Sequence, residues 1–309
     1  MISFNHPNVS EFKIQGFTDI PELKLPLFFL FLLFYLIIIF GNMVIFAAIF
    51  YESHLHTPMY LFLMNLSIND ISLTSTVLPN MLQNLITRHK DISFAGCLVQ
   101  MYIYTSLLCS EVLLLAAMAY DRYVAICQPL HYVLLMSLRH CAYFIVASWT
   151  IGFVTIAGYP ILISKLPFCA SYLINHVFCD LSPLIKLSCG PAFNVELLTY
   201  IEGTLVGFSC FLFILLSYIC IISSILKLKS SEGRKKAFST CASHLTCVTM
   251  YYGTIISLHM RPSSNYSPIL DKYFSLINII LVPMLNPVIY SFKNQEVINA
   301  LIKLKQIHI

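Results

Sequence analysis

Long apolar stretches separated by isolated charges dominate the chain. No residue between Lys24 and Glu52 is charged, and residues 27–40 are apolar without interruption. Because a bilayer core is roughly 30 Å thick and a helix rises about 1.5 Å per residue, about 20 apolar residues are enough to cross it. Seven stretches meet this requirement, and we predict that each forms a membrane-spanning helix. They are residues 25–50, 58–81, 97–122, 141–164, 195–226, 237–260 and 273–292.

The same pattern excludes membrane-spanning strands. The strands of a membrane barrel need only about 9–11 residues and alternate in polarity, whereas these stretches are longer and do not alternate. Residues 1–24 are mixed in charge and no small-residue cleavage site follows, so a cleavable signal peptide is not expected. We therefore predict an all-α fold, a seven-transmembrane helix bundle of residues 25–292. Mixed apolar and polar residues in the tail, 293–309, predict a short interfacial helix.

Composition supports the membrane class. Apolar residues make up 58% of the chain and charged residues only 10%, compared with about 25% charged residues in soluble proteins. So few charges cannot cover a water-exposed surface. Glycine and proline number only 10 and 14, which excludes a collagen-like or disordered chain.

The loop between the fifth and sixth predicted spans sets the orientation. Residues 227–236 include five lysines and arginines, and positively charged loops favour the cytosolic side. We therefore expect a multi-pass protein of the plasma membrane with an extracellular N-terminal segment, 1–24, and a cytoplasmic tail. Asn8 begins an Asn-Val-Ser triplet in the exposed segment, a glycosylation acceptor that also occurs by chance.

Four of the eleven cysteines fall on the predicted extracellular side. They are Cys97, Cys169, Cys179 and Cys189. Disulfides form in this oxidising environment, so two are expected. Spacing alone leaves three pairings open. The other seven cysteines fall in spans or near the cytosolic face and are expected to be reduced.

Five motifs occur in a fixed order along the chain. They are Gly41-Asn42, Pro58-Met-Tyr-Leu-Phe-Leu-Met-Asn-Leu-Ser67, Met118-Ala-Tyr-Asp-Arg-Tyr-Val-Ala-Ile-Cys127, Lys236-Ala-Phe-Ser-Thr-Cys241 and Pro283-Met-Leu-Asn-Pro-Val-Ile-Tyr290. Together they resemble the odorant receptors of the rhodopsin-like G-protein-coupled class, along almost the whole chain. Lys293 departs from the arginine usual in that family, which keeps the charge but loses the planar fork.

The resemblance implies a receptor rather than an enzyme, without a cofactor or a catalytic metal. It implies that a small, mostly apolar volatile molecule binds in the outer half of the bundle. The receptor would then activate a stimulatory heterotrimeric G protein and raise cyclic AMP. The expected partners are therefore an odorant, a G protein and the lipid bilayer, and no nucleic acid. A non-odorant chemosensory receptor is the alternative function.

Following the resemblance, we expect the pairings Cys97–Cys179 and Cys169–Cys189.

The resemblance also assigns G-protein coupling and activation to the cytosolic half of the bundle. The assigned residues are Asp121, Arg122, Tyr123, Tyr218, Lys236, His244, Asn286, Pro287 and Tyr290. Pro283 and Pro287 each remove a backbone hydrogen bond from the seventh span and bend it. Both a packing kink and a hinge are consistent with them, and Asn286 is placed to satisfy the freed backbone groups.

Two acids, Asp70 and Glu111, lie near the middle of the second and third spans. An ionised carboxylate there costs several kcal/mol unless it is paired or solvated. One interpretation is a pair of neutral, hydrogen-bonded acids that share a proton. The other, which the resemblance suggests, is a sodium or proton site that includes Asn286 and stabilises the inactive arrangement.

Ligand sites in helical bundles lie between helices and are mostly apolar with a few polar anchors. Candidates come from the outer halves of spans three, five, six and seven: Tyr104, Thr105, Leu108, Cys109, Val112, Glu202, Val206, Tyr252, Ile255, Ile256, His259, Leu276 and Ile279. Ordinary helix packing explains the apolar members equally well. We therefore expect the polar Tyr252, Thr105 and His259 to be the anchors.

Two other classes of membrane protein, a transporter or channel and an intramembrane enzyme, fit the sequence less well. A transporter or channel would show an internal repeat of broken, glycine-rich helices, and the sequence has no such duplication. An intramembrane enzyme would have to use Asp70 and Glu111 as an acid pair. The sequence contains no His-Glu-x-x-His helix and no nucleophile elbow, so neither class is favoured.

Overall fold

The computed structural model describes residues 10–18, 20–87, 90–169, 172–227, 230–259, 267–291 and 295–307. Within these residues the chain forms a bundle of long helices. They are α1 (Pro21–Tyr51), α2 (Pro58–Ile86), α3 (Phe94–Cys127), α4 (Leu138–Ile163), α5 (Phe193–Leu226), α6 (Ser231–His259), α7 (the consecutive segments Pro268–Leu276, Ile277–Leu281 and Val282–Ser291) and α8 (Gln295–Ile307).

Six of the described helices, α1 to α5 and α7, are long and apolar enough to cross a membrane by length and composition. Helix α6 has 29 residues, but its charged first turns and interior polar side chains lower its mean hydropathy. It packs against α3, α5 and α7 as a member of the same bundle. The predicted all-α, seven-helix fold is therefore confirmed.

Helix α3 lies at the centre of the bundle, in contact with α2, α4, α5 and α6. It is the most buried of the long helices, whereas α1, α4 and α5 direct most of their apolar side chains outward. Such a surface fits a lipid surrounding, since a soluble monomer rarely exposes a large continuous apolar area. A close contact between α3 and α4 depends on Gly152, because a Cβ there would lie 2.9 Å from the Ser106 carbonyl oxygen.

A three-stranded sheet caps one end of the bundle. Its strands are β1 (Glu11–Ile14), β2 (Asp91–Ser93) and β3 (Leu173–Ile174), in the order β2-β1-β3. Strand β1 is antiparallel to β2 and parallel to β3. Phe12 and Ile14 are buried, whereas Glu11 and Lys13 on the alternate positions are exposed. The sequence analysis did not predict these strands, because two to four residues are too few for alternation to be recognised.

Two disulfides lie at the same end, which we call the disulfide end. They join Cys97 to Cys179 and Cys169 to Cys189. The first attaches the connection between α4 and α5 to the start of α3. The side-chain oxygen of Gln100 accepts a hydrogen bond from the Cys179 backbone N–H at 3.0 Å. The connection therefore covers this end of α3.

At the opposite end, which we call the Arg122 end, α8 packs against α1. Lys303 donates a hydrogen bond to the Glu52 carboxylate at 2.9 Å, and His54 lies 3.2 Å from the same oxygen. The Lys303 hydrogen bond holds the pKa of Glu52 below its ordinary value. This ion pair fixes the predicted interfacial helix beside the end of α1.

Candidate functional site

The Arg122 end contains a closed network around one buried carboxylate. Arg122 forms an ion pair with its neighbour Asp121, with Nε 2.9 Å from Oδ2. The Tyr132 hydroxyl donates to the other carboxylate oxygen, Oδ1, at 2.8 Å. Burial, and then the nearby Asp121 charge, raise the pKa of Tyr132 above its ordinary value, so its hydroxyl stays a donor. Both carboxylate oxygens of Asp121 are thus occupied.

A second polar contact joins α5 to α6 at this end. The Tyr218 hydroxyl lies 2.5 Å from Nδ1 of His244, and the two rings stack with centroids 5.7 Å apart. Both side chains are buried. This contact links α5 to α6 near the Arg122 end.

An exposed apolar patch adjoins the Asp121 network. The turn Pro129–His131 and the short helix Tyr132–Leu135 follow α3 directly. They present Leu130, Val133 and Leu134 outward, and Leu130 is 95% exposed. Exposed apolar residues beyond the ends of the spanning helices indicate a docking surface. The sequence analysis missed them, although apolar residues in a loop outside every span were a usable signal.

The two intramembrane acids lie in a buried polar cluster in the middle of the bundle. Asn286 donates to Asp70 Oδ2 at 2.9 Å, and Asn69 lies 3.4 Å from Glu111 Oε2. All four side chains are almost completely buried. The second carboxylate oxygens, Asp70 Oδ1 and Glu111 Oε1, have no hydrogen-bond partner within the described residues. Oxygens of this kind fit a hard cation or a shared proton.

The proline-containing α7 receives a hydrogen bond from α1. Pro287 has no N–H to donate to the Pro283 carbonyl, and the Asn42 side chain donates to that oxygen instead, at 3.1 Å. Gly41 allows the approach, because a Cβ there would already touch Pro287 at 3.4 Å. The expectation that Asn286 satisfies the freed group was wrong, since Asn286 donates to Asp70.

Most of the predicted ligand-site residues lie together between α3, α5, α6 and α7, toward the disulfide end. The buried members are Tyr104, Leu108, Val112, Tyr252, Leu276 and Ile279. Cys109 is also buried, but its thiol lies 3.8 Å from the Thr155 hydroxyl of α4. Phe178 of the α4–α5 connection covers Tyr104, with ring centroids 4.7 Å apart, and Phe211 lies 5.1 Å from Tyr252. The Tyr252 hydroxyl is buried and has no hydrogen-bond partner within the described residues. The set is thus a buried cluster of aromatic and aliphatic side chains, which we call the enclosure.

Comparisons with known proteins assign the family. The olfactory receptor family model matches residues 31–306. The chain is 44% identical over 300 residues to "Olfactory receptor 5AR1" of Mus musculus, covering 97% of both chains. It is 45% identical over 303 residues to "Olfactory receptor 5B21" of Mus musculus, with 97% of this chain and 94% of the relative covered. The chain belongs to the olfactory receptor family. "Olfactory receptor 8D4" of Homo sapiens is a similar relative, 44% identical over 300 residues.

In this olfactory receptor, three predicted ligand-site residues differ from the enclosed set. Ile256 is 41% exposed, so the structure does not bring it into the enclosure, because it lies on the outer side of α6. Glu202 is half-buried and accepts a hydrogen bond from Tyr159 at 3.3 Å, which directs it toward α4. Thr105 is half-buried and donates to the Met101 carbonyl at 2.8 Å. Val206 and Ile255 are half-buried at the edge of the set.

Several predicted receptor residues lie outside the described part of the chain. Asn8 precedes it, and the side chains of Lys236, His259 and Tyr290 are not among those described. Of the remaining coupling residues, Tyr123 accepts a hydrogen bond from Gln128 at 3.4 Å. The sequence analysis also missed Tyr132 and Phe178, which lie in connections where helical periodicity gives no signal.

Proposed function

We propose that the chain is an odorant receptor that binds a small, mostly apolar volatile molecule and activates a stimulatory heterotrimeric G protein, which raises cyclic AMP. One observation carries the proposal: the single helix α3 contributes to both candidate sites. Near the disulfide end it supplies Tyr104, which packs against Phe178, and near the other end it supplies Asp121 and Arg122. A packed helix that joins two sites moves as a unit, so a ligand at one end biases the arrangement at the other.

We infer that residues 25–292 form the receptor domain, with residues 1–24 extracellular and 293–309 cytoplasmic. The disulfide end supports this orientation, because disulfides persist in an oxidising compartment. Lys227 and Arg234, the two cations of 227–236 whose side chains the structure describes, lie at the Arg122 end, in agreement with the preference of positive loops for the cytosol. Accessibility tagging tests the orientation: labels at the N-terminus and in 227–236 should react from opposite sides of the membrane.

The proposed coupling site lies at the Arg122 end, and its main support is the exposed patch of Leu130, Val133 and Leu134. Apolar anchors that project from a loop are the kind of side chain that fills a pocket on a partner protein. The adjacent Arg122 side chain is 17% exposed. A G protein that binds this face would contact the patch and draw Arg122 away from Asp121.

The proposed ligand site is the enclosure around Tyr252, and burial of apolar area would supply most of the affinity. About 200 Å² at roughly 25 cal/mol per Å² gives about 5 kcal/mol before association costs, which implies micromolar or weaker binding.

Tyr252→Phe and Thr105→Ala are expected to lower odorant potency. Tyr252→Phe removes a buried hydroxyl from the proposed site, and Thr105→Ala removes a half-buried hydroxyl of α3 whose oxygen can accept a hydrogen bond from a ligand while its proton is donated to Met101. The loss of one hydrogen bond is worth about 1 kcal/mol, or roughly a fivefold increase in EC50. The measurement is a cyclic-AMP reporter response to an odorant panel, normalised to surface expression. Thr246→Ala is the matched control, since Thr246 is an exposed threonine of α6 that makes the same backbone hydrogen bond. Unchanged potency in both site variants would place the ligand elsewhere.

We also propose that Asp70, Glu111 and Asn286 form a sodium or proton site that stabilises the inactive arrangement. The unpartnered oxygens of the two acids support it. Asp70→Asn is expected to alter basal cyclic AMP and to remove its dependence on sodium, because the substitution removes the anionic oxygen. Basal output is measured in sodium and in choline medium, with the exposed Asp91→Asn as control. Basal output and sodium dependence that both match the unsubstituted receptor would rule the site out.

A further inference from the structure

Asn278 is a buried amide with no hydrogen-bond partner at either polar atom. Its side chain is 0% exposed, and neither Nδ2 nor Oδ1 has a partner within the described residues. It lies in Ile277–Leu281, a π-helical turn of α7. This turn packs against α1, α2 and α6. The sequence analysis predicted only the apolar Leu276 and Ile279 as ligand-site residues of α7.

The surroundings of Asn278 are those of a ligand site. Tyr104 of α3 lies close to the amide but does not meet hydrogen-bond geometry with it. The Tyr104 ring in turn packs against Phe178, whose loop covers the disulfide end. The neighbouring α7 residues Leu276 and Ile279 are buried apolar side chains of the proposed site. Ligand sites combine such an apolar lining with a few convergent polar groups.

An unpartnered amide is unfavourable in the ligand-free protein. Burial removes the water that would satisfy its donors and its acceptor, and leucine, which has the same branched shape, would avoid this cost. Buried polar groups in folded proteins are almost always hydrogen-bonded, so an exception requires an explanation. The Tyr252 hydroxyl of α6 and the Ser106 hydroxyl of α3 are also buried in this half of the bundle without a partner within the described residues. Asn278 and Tyr252 lie on the adjoining helices α7 and α6, so one ligand between these helices would satisfy both.

We propose that Asn278 is a specificity-determining residue that hydrogen-bonds a neutral hydroxyl or carbonyl group of the ligand. An amide offers N–H donors to a carbonyl oxygen, and it offers both donor and acceptor to a hydroxyl. Asn278 and Tyr252 are neutral and offer no opposite charge to an ammonium or carboxylate ligand. The acids Asp180 and Glu111 lie near Tyr104, so the octylamine probe below tests whether they attract an ammonium instead. The ligand class is therefore neutral alcohols, aldehydes and ketones with an apolar chain. This inference rests on the proposed odorant-receptor function.

The first test compares probes of equal chain length in the cyclic-AMP assay: 1-octanol, octanal, octane, octylamine and octanoic acid. The unsubstituted receptor should respond to 1-octanol or octanal at lower concentration than to the other three. Asn278→Leu should raise the EC50 for the oxygenated neutral probe about tenfold, equivalent to about 1.4 kcal/mol. The exposed Asn194→Leu, which makes the same change at the start of α5, should leave that EC50 unchanged.

The second test needs no ligand and detects a purely structural role. The thermal midpoint of the purified, ligand-free Asn278→Leu receptor should be higher than that of the unsubstituted receptor. A lower midpoint would show that the amide stabilises the fold, and would overturn the inference. A strongest response to octane, octylamine or octanoic acid would overturn the ligand class while leaving the odorant-receptor function intact. Silence toward every volatile tested would count against both proposals.

Discussion

Arg122→Ala is expected to abolish odorant-evoked cyclic AMP while the receptor still reaches the cell surface. In the structure the guanidinium is held by Asp121, whose second oxygen accepts the Tyr132 hydroxyl. If coupling releases Arg122 toward the G protein, alanine removes the group that the partner would bind. The same change removes one partner of the buried Asp121 carboxylate, which keeps its hydrogen bond from the Tyr132 hydroxyl. Signalling should therefore fail while folding is retained.

The measurement combines surface labelling with a cyclic-AMP dose–response curve. Arg139→Ala is the matched control, since Arg139 is an exposed arginine near the start of α4. Tyr132→Phe separates the two roles of the network: it removes a donor to Asp121 and leaves Arg122 in place, so basal output should rise without loss of maximal response. Full signalling by Arg122→Ala at normal surface levels would refute the proposed coupling role.

The positions of the helices could be predicted from the sequence, because lipid imposes one requirement on every spanning stretch. The absence of charge between Lys236 and Arg261 located α6 even though its hydropathy is low. The contacts of its polar residues are visible only in the structure, where His244 turns inward to meet Tyr218. The spacing of charges thus predicts that a helix crosses the membrane, but it does not predict which residues its polar side chains contact.

The partners within the candidate site could not be predicted in the same way. Asn42 and Pro283 are 241 residues apart, and nothing local to either indicates that they meet. Asn286 was expected to serve the backbone of its own helix, but its side chain donates to a carboxyl oxygen of Asp70 from α2 instead. Periodicity identifies the face of a helix that is buried, whereas the identity of the partner depends on how whole helices pack.

The short elements outside the predicted spans could not be predicted from the sequence either. Tyr132 lies in a four-residue helix and Leu173 in a two-residue strand, which are too short to show a period. Their positions are fixed by longer elements, α3 in one case and the strand β1 in the other. The polar contact of Tyr132 with Asp121 and the cover that Phe178 gives to Tyr104 therefore required the structure.

Cys97→Ser and Cys179→Ser are each expected to reduce surface expression severely. The Cys97–Cys179 disulfide joins residues that are 82 apart in sequence, and the Cys169–Cys189 disulfide joins residues that are 20 apart. In the chain-entropy model, the longer loop corresponds to about 4.5 kcal/mol of stabilisation and the shorter to about 3.3 kcal/mol. The first value is comparable to much of the stability of a folded domain. Cys169→Ser should therefore be the milder change.

The location of the longer disulfide adds a functional consequence to its effect on stability. Cys179 adjoins Phe178, which covers Tyr104, and His176 lies 3.2 Å from the Phe178 carbonyl oxygen through Nδ1. Burial lowers the pKa of His176, so the imidazole is neutral near pH 7 and contributes no ionic attachment. Receptors with Cys179→Ser that do reach the surface should show a large loss of odorant potency, because the cover over Tyr104 is no longer anchored.

Additivity distinguishes the loss of one bond from damage at two separate sites. If Cys97 and Cys179 act only through their disulfide, the double variant should express no worse than either single variant, since the second serine removes nothing further. Cys220→Ser is the matched control, because Cys220 is an exposed free cysteine on α5. Roughly additive losses in the double variant would show that each thiol has a separate role. Normal expression and potency of both single variants would mean that hydrogen bonds such as Gln100 to Cys179 are enough to hold the connection in place.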